Sequence, residues 1–286
     1  MTGADTSLPR KPRIALMGEF SAGKSTLCNL LMHGRTLPEQ VTATRLPPIC
    51  LAQAPGEDHR VKIDGTTEPI DRHALHAVPF DDTRVVRIHI DADILEFCEF
   101  IDFPGISDPN MASDVWERVL VDADAVIWLT HATQAWRQSE MAVWDTVPTQ
   151  VQDKSILLVT RFDKLTNDRD KGRVMARVTH ETRGLFNKVF PISLTQAVQG
   201  QHDFETWVES GAEDFTNHLT QLIADLNGMT APEQISKAPR AATPAPTSQP
   251  AVMPRRVRAK SSGVKPQKLG TRAARHHHVV FGETGQ

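Results

Sequence analysis

Residues 18–25 read G-E-F-S-A-G-K-S and follow directly on an apolar run, Ile14, Ala15, Leu16 and Met17. A short buried strand, a glycine-rich turn and then a helix (here residues 24–33) is the setting in which such a stretch closes around phosphate. Gly18 and Gly23 let the backbone turn tightly enough to aim successive N–H groups at a β-phosphate, with the helix N-terminus adding its dipole. Glu19, Phe20, Ser21 and Ala22 form the body of the loop. Lys24 has the reach for the β- and γ-phosphates, and Ser25, followed by Thr26, offers its hydroxyl to Mg²⁺. The stretch predicts a nucleoside triphosphate site.

Composition bounds the rest. The chain has 286 residues, 40% of them hydrophobic, enough for a substantial core. No apolar run approaches the roughly 18 residues of a membrane span, and residues 1–13 are polar rather than signal-like. Cys28, Cys50 and Cys98 each lie in apolar surroundings and read as buried thiols in a reducing compartment, which makes the cytoplasm the expected location. The formal charge of −3 hides an asymmetry. Between Lys237 and Gln286 ten basic residues stand against one acid, leaving the rest of the chain near −12. The Pro- and Ala-rich stretch 231–254 has too few large apolar groups to repay ordering. We therefore divide the chain into a flexible start (1–12), one acidic globular domain (13–228) and a disordered Pro/Ala-rich, then basic tail (229–286).

Within the domain, strand and helix signals alternate. Residues 84–90 alternate apolar and polar, residues 94–101 read as a strand beside them, and 125–130 and 155–160 are continuous apolar runs suited to parallel strands covered on both faces. Residues 189–193 read as the last strand. Helices are predicted over 111–121, 136–147 and 168–186, the last with a break at Gly184. A final helix presents Phe215, Leu219, Leu222 and Leu226 as one stripe. The pattern predicts an α/β fold of three layers, with a mostly parallel central sheet and ligands at the carboxyl ends of its strands.

Two further motifs fall at such ends. Asp102, Phe103, Pro104 and Gly105 spell D-F-P-G: a strand-end Asp can hold Mg²⁺ through a water, and Gly105 can offer its N–H to a γ-phosphate. Asp, Pro and Gly are also ordinary turn formers, so this reading leans on the phosphate loop upstream. Thr160, Arg161, Phe162 and Asp163 spell T-R-F-D, where the Asp163 carboxylate can accept from both the N1–H and the exocyclic amine of guanine. A charged turn is the plainer alternative. Ser193 and Leu194 end the last strand, where a backbone N–H can reach the guanine carbonyl.

With these motifs in this order the chain resembles a GTPase domain, and G-E-F-S-A-G-K-S-T together with D-F-P-G is most similar to bacterial dynamin-like GTPases. T-R-F-D departs from the usual Asn/Thr-Lys-x-Asp by Arg161, whose aliphatic stem can still lie along a base. The resemblance covers residues 13–228 and implies bound GTP or GDP and Mg²⁺ held by Ser25, Asp102 and Thr44, with Thr42 the second choice for the last. It further implies catalytic parts for Ser21, Lys24 and Thr44, and a homodimer across the nucleotide that stimulates hydrolysis. Phe20 stands where eukaryotic dynamins carry a Gln that positions water, so another group must do so here or hydrolysis is slow. The long helical stalk of membrane-bending relatives has no counterpart in the sequence, so fission or fusion by this chain alone is not expected.

Two rival functions stay open: a slowly hydrolysing, GTP-dependent switch that recruits a partner or membrane, and a P-loop kinase, which would leave D-F-P-G and T-R-F-D unexplained. The basic stretch 255–275 suits an anionic membrane surface at the inner face, an acidic partner, or no fixed partner. Lack of interleaved aromatics argues against nucleic acid. His276–His278, His73 and His76 read as non-ligands, and Trp116, Trp128, Trp136 and Trp144 as core.

Overall fold

The computed structural model describes residues 10–34, 46–106 and 119–228. At its centre lies β1 (Arg13–Gly18), parallel to β6 (Glu99–Asp102) on one side and to β7 (Ala125–His131) on the other. Its side chains alternate between two cores. Ile14 and Leu16 pack with Leu27 and Phe215, while Ala15 and Met17 pack with Trp128 and Trp144. A strand buried on both faces needs apolar residues at every position, which is why residues 14–17 read as a continuous run.

The sheet continues through β8 (Ile156–Thr160) and β9 (Lys188–Pro191), both parallel. On the other side it adds β2 (Ile49–Gln53), β5 (Thr83–Ile90), β3 (His59–Lys62) and β4 (Thr67–Pro69), giving nine strands in the order β4-β3-β5-β2-β6-β1-β7-β8-β9. β2 pairs parallel with β5 but antiparallel with β6, and β3 pairs antiparallel with both β5 and β4, so five of the eight pairings are parallel and the sheet is mostly parallel, as expected. Among the helices, α1 (Lys24–Leu31), α5 (Leu194–Gln199), α6 (Phe204–Glu209) and α7 (Ala212–Leu226) are joined by α2 (Gln138–Trp144), α3 (Thr149–Gln152) and α4 (Asp168–Glu181). The α7 stripe is as the spacing predicts: Phe215, Leu219 and Leu222 are buried.

Four element boundaries differ from the sequence reading. Residues 94–101 are not one strand: Asp93–Glu96 is a 3₁₀ turn in which the Leu95 N–H donates to the Ala92 carbonyl, burying both Leu95 and Cys98 before β6 starts. Residues 136–147 do not form one helix, because Trp136 sits at φ +58°, a left-handed conformation outside any α-helix, and α2 begins only at Gln138. The helix predicted over 168–186 ends at Glu181, where the Thr182 hydroxyl donates to the Val178 carbonyl. The last strand stops at Pro191, leaving Ser193 to cap α5. Strands β2, β3 and β4 were not anticipated. The predicted helix 111–121 and Trp116 fall largely or wholly outside the described residues.

An ion-pair cluster closes the amino-terminal edge of the central strands. Glu99, nearly buried, accepts from Arg13 Nε (3.0 Å) and is paired with Arg87, while the Cys50 Sγ lies 3.6 Å from it. Burial pushes the Glu99 carboxyl up, but Arg87 and Arg13 outweigh that and hold it below its ordinary range. A depressed carboxylate stabilises the fold above its ordinary pKa and loses that contribution as pH falls through the depressed value. Glu99→Gln is expected to cost about 2 kcal/mol at pH 7, discounted from the buried-pair range because both arginines reach solvent. In thermal melts the gap to the wild type should narrow below about pH 4.5.

Candidate functional site

The register of β1 sets the site. Leu16 lies opposite Asp102, and Gly18 opposite Leu129, so three strands end together and deliver the phosphate loop, D-F-P-G and residues 130–131 to one edge. Gly18 has φ +142°, and a Cβ there would sit 2.2 Å from the Leu129 carbonyl oxygen. No other residue fits.

Through the loop the carbonyl groups turn outward to partners. The ammonium of buried Lys24 donates to the Gly18 and Glu19 carbonyls at 2.9 Å each. Arg161 Nη2 donates to the Ser21 carbonyl at 2.8 Å, and the buried Thr160 hydroxyl to that of Ala22 at 2.8 Å. The Ala22 N–H closes the turn on the Glu19 carbonyl at 3.2 Å, and a turn with its carbonyls so engaged is the kind of backbone whose remaining amides can cradle an anion. The N-terminus of α1 carries no side-chain cap and no acid in its first turn, which leaves its N–H groups for a phosphate. Ser25 and Thr26 are exposed on that turn.

Beside Lys24 lies Asp102. Its Oδ1 is buried and has no hydrogen-bond partner among the described residues. Burial pushes the carboxyl up to about 6 against the pull of Lys24, and burial lowers Lys24 to about 8, with Asp102 and Glu19 opposing. An orphaned carboxylate oxygen and a serine hydroxyl left exposed on the first turn of α1 are oxygen donors of the kind that fits a hard divalent cation such as Mg²⁺. Thr42 and Thr44 lie outside the described residues. Gly105 packs against the loop: a Cβ there would stand 2.9 Å from both N and Cα of Phe20. The Ile106 N–H donates to the Gly18 carbonyl at 3.2 Å, tying the two motifs together.

At the far end, residues separated by 30 positions meet. The Ser193 hydroxyl donates to Asp163 Oδ1 at 2.9 Å and also accepts from the Gln196 N–H as the cap of α5. Asp163 is thereby aimed, with its other oxygen 3.5 Å from Lys164 Nζ. Leu194 is buried, and its Cδ1 would meet a Cβ added at Gly23, so its side chain backs the phosphate loop. Thr160 likewise spends its hydroxyl on the loop backbone. Of the residues read from T-R-F-D, Thr160 and Arg161 hold the loop in place, whereas Asp163 presents an acceptor.

Sequence reasoning missed a third group, on the segment after β7. Glu140 is 1% exposed and accepts from Trp128 Nε1 (3.0 Å), the Thr130 hydroxyl (2.9 Å) and the Arg137 N–H (2.9 Å). Burial raises its pKa against those bonds. Glu19 accepts from Arg137 Nη1 (3.1 Å) and the Ser139 hydroxyl (3.0 Å). His131 bonds the Ser21 backbone; burial holds its pKa down, helped by Arg161 and Arg137 and opposed by Ser21 and Glu19. A glutamate three residues into a helix start, able to reach back to the first N–H as half of a capping box, is a signal that could have marked this segment.

With this geometry in hand, comparison with known proteins gives a consistent answer. The sequence pattern of the dynamin family matches residues 14–162. Dynamin-like protein 2 of Campylobacter jejuni is 25% identical over 222 residues, covering 76% of this chain and 36% of that protein. A solved chain from an oligomerised bacterial dynamin pair, described as sensing and tethering membranes over long range, superposes with a TM-score of 0.54 at 19% identity, over 76% of this chain and 36% of its own. The chain thus spans about a third of the length of these relatives.

Thr160→Val keeps the shape of the side chain but strands the Ala22 carbonyl. A buried acceptor without a partner costs about 1–3 kcal/mol. The expected result is a lower melting temperature together with weaker nucleotide affinity, measured by calorimetry.

Proposed function

The chain belongs to the dynamin family of GTPases, and from that premise we propose that it binds GTP with Mg²⁺ and hydrolyses it to GDP and phosphate. The observation that carries the reading is the convergence of Lys24, Asp102 and the Asp163–Ser193 pair on one sheet edge. Loop amides and Lys24 take the phosphates. Asp163, aimed by Ser193, accepts from the two donors that guanine presents and adenine lacks, and the backbone at Ser193–Leu194 answers the guanine carbonyl. Ser25, Asp102 and Thr44 would hold the metal, which supplies charge neutralisation at the β- and γ-phosphate oxygens. Lys24 would hold the γ-phosphate, Ser21 would help bind a charge-compensating cation or the transition-state phosphate, and Gly105 would offer its N–H to the γ-phosphate.

A homodimer across the nucleotide and peripheral contact with anionic membrane through residues 255–275 complete the proposal. The oligomerised, membrane-tethering assembly described for the solved relative supports them, as does the basic charge of that stretch. Among the described residues no helix is long and apolar enough to cross a membrane. A second reading, a slow GTP-dependent switch, is favoured by Phe20: the residue is 69% exposed and its side chain brings no group able to orient water.

GTP turnover measured against protein concentration, with and without anionic liposomes, separates the two. Specific activity that climbs with concentration supports dimer-stimulated catalysis; a flat, low rate supports the switch. Asp163→Asn should shrink the preference for GTP over ATP by about ten- to a hundredfold, the worth of a hydrogen bond to a charged group. Unchanged selectivity would refute the guanine assignment.

A further inference from the structure

The loop's outer turn, residues 19–21, is held from two sides. Arg161 and Thr160 grip the Ser21 and Ala22 carbonyls. On the other side, the Glu19 side chain, itself only 15% exposed, bonds both Arg137 and Ser139, more than a hundred residues away in sequence. That second grip is itself anchored. The Arg137 N–H is fixed by Glu140, and Glu140 is fixed by Trp128 and Thr130 of β7. The Trp136 N–H donates to the same Thr130 hydroxyl at 3.0 Å, which holds the left-handed residue just before Arg137. A strained backbone residue, a buried carboxylate and two side chains of the α2 start thus converge on one carboxylate of the phosphate loop.

We propose that Glu19, Arg137 and Ser139 form a clamp that positions the outer turn of the phosphate loop for hydrolysis, with Glu140 as its buried anchor. Phe20 offers no side-chain donor, so what this turn contributes to the reacting phosphate comes from its backbone amides and the Ser21 hydroxyl. Amide donors stabilise developing charge only when their aim is fixed beforehand. The turn also packs against Gly105, where an added Cβ would stand 2.9 Å from the Phe20 N and Cα, so a side chain at position 105 would push the turn. Releasing Glu19 would let the turn tilt and misdirect those donors, while Lys24 keeps its bond to the Gly18 carbonyl and Asp163 its bond to Ser193. The residues of the clamp are therefore positioning residues for the proposed GTPase reaction, and the inference rests on that reading.

The test uses the full chain with Arg137→Gln, Arg137→Lys, Ser139→Ala, Glu19→Gln and the double variant Glu19→Gln/Arg137→Gln. Steady-state GTP hydrolysis gives kcat and KM, N-methylanthraniloyl-GDP fluorescence gives nucleotide affinity, and melting temperature reports the fold. Arg137→Gln and Glu19→Gln are each expected to lower kcat on the order of ten- to a hundredfold, the scale of a small misplacement. GDP-probe affinity should change less than about threefold, since a pure kcat loss marks an interaction realised in the transition state. The double variant should lose no more than either single, as for residues acting through one contact, and Arg137→Lys should restore part of kcat. Multiplying losses in the double variant, an unchanged kcat, or melting temperatures that fall in step with kcat would each overturn the clamp. A wild-type chain that fails to bind the GDP probe would overturn the GTPase reading and the clamp together; a wild-type chain that binds and turns over, with variants matching it, overturns the clamp alone.

Discussion

Parallel pairing of β1 between β6 and β7 fixes the position of every group at the site. The ladder is buried on both faces, so its register is set by packing in two cores at once and cannot slip without exposing both. Because Gly18 faces Leu129 and Leu16 faces Asp102, the phosphate loop leaves the sheet beside the carboxylate and beside the β7 end that leads to Arg137. The close approach of the Leu129 carbonyl to Gly18 leaves only glycine there. One strand pairing thus decides both the loop's shape and its neighbours.

From that edge the loop is held by its surroundings more than by itself. Lys24, Arg161 and Thr160 each bind carbonyls of the loop, and the Ile106 N–H joins Lys24 on that of Gly18. Such a cage is costly in polar groups placed away from water, and each is satisfied. The Asp102 Oδ1 beside it is buried without a hydrogen-bond partner among the described residues, an atom that fits the proposed cation. The same low-dielectric surroundings raise Asp102 and lower Lys24, so the pair is poised to respond to added charge.

Much of this was legible in the chain. The loop, D-F-P-G, Asp163 and Ser193 could be read because each falls at the end of an apolar run, and local chemistry there has few other uses. The α7 stripe was legible through its helical period. The strands β2, β3 and β4 were not: β3 and β4 are short, polar and only partly buried, and make their pairs with each other and with β5 rather than by pattern. Glu140 escaped notice because a lone glutamate at a helix start looks solvated until Trp128 and Thr130 fold over it. Trp136 was read as helical because composition says nothing of a φ of +58°, which the packing of Trp128, Trp144 and Phe186 around it enforces.

Sequence by itself determined the class of ligand site, the order of its motifs and the strands buried on both faces, because these rest on contacts between near neighbours and on unbroken apolarity. Tertiary structure alone decided that Thr160 and Arg161 serve the phosphate loop, that Ser193 aims Asp163, and that Glu19 is gripped by Arg137 and Ser139. Those contacts join residues 30 to 140 positions apart. No local preference can specify them. They exist only because the parallel register brings separate strand ends to one edge.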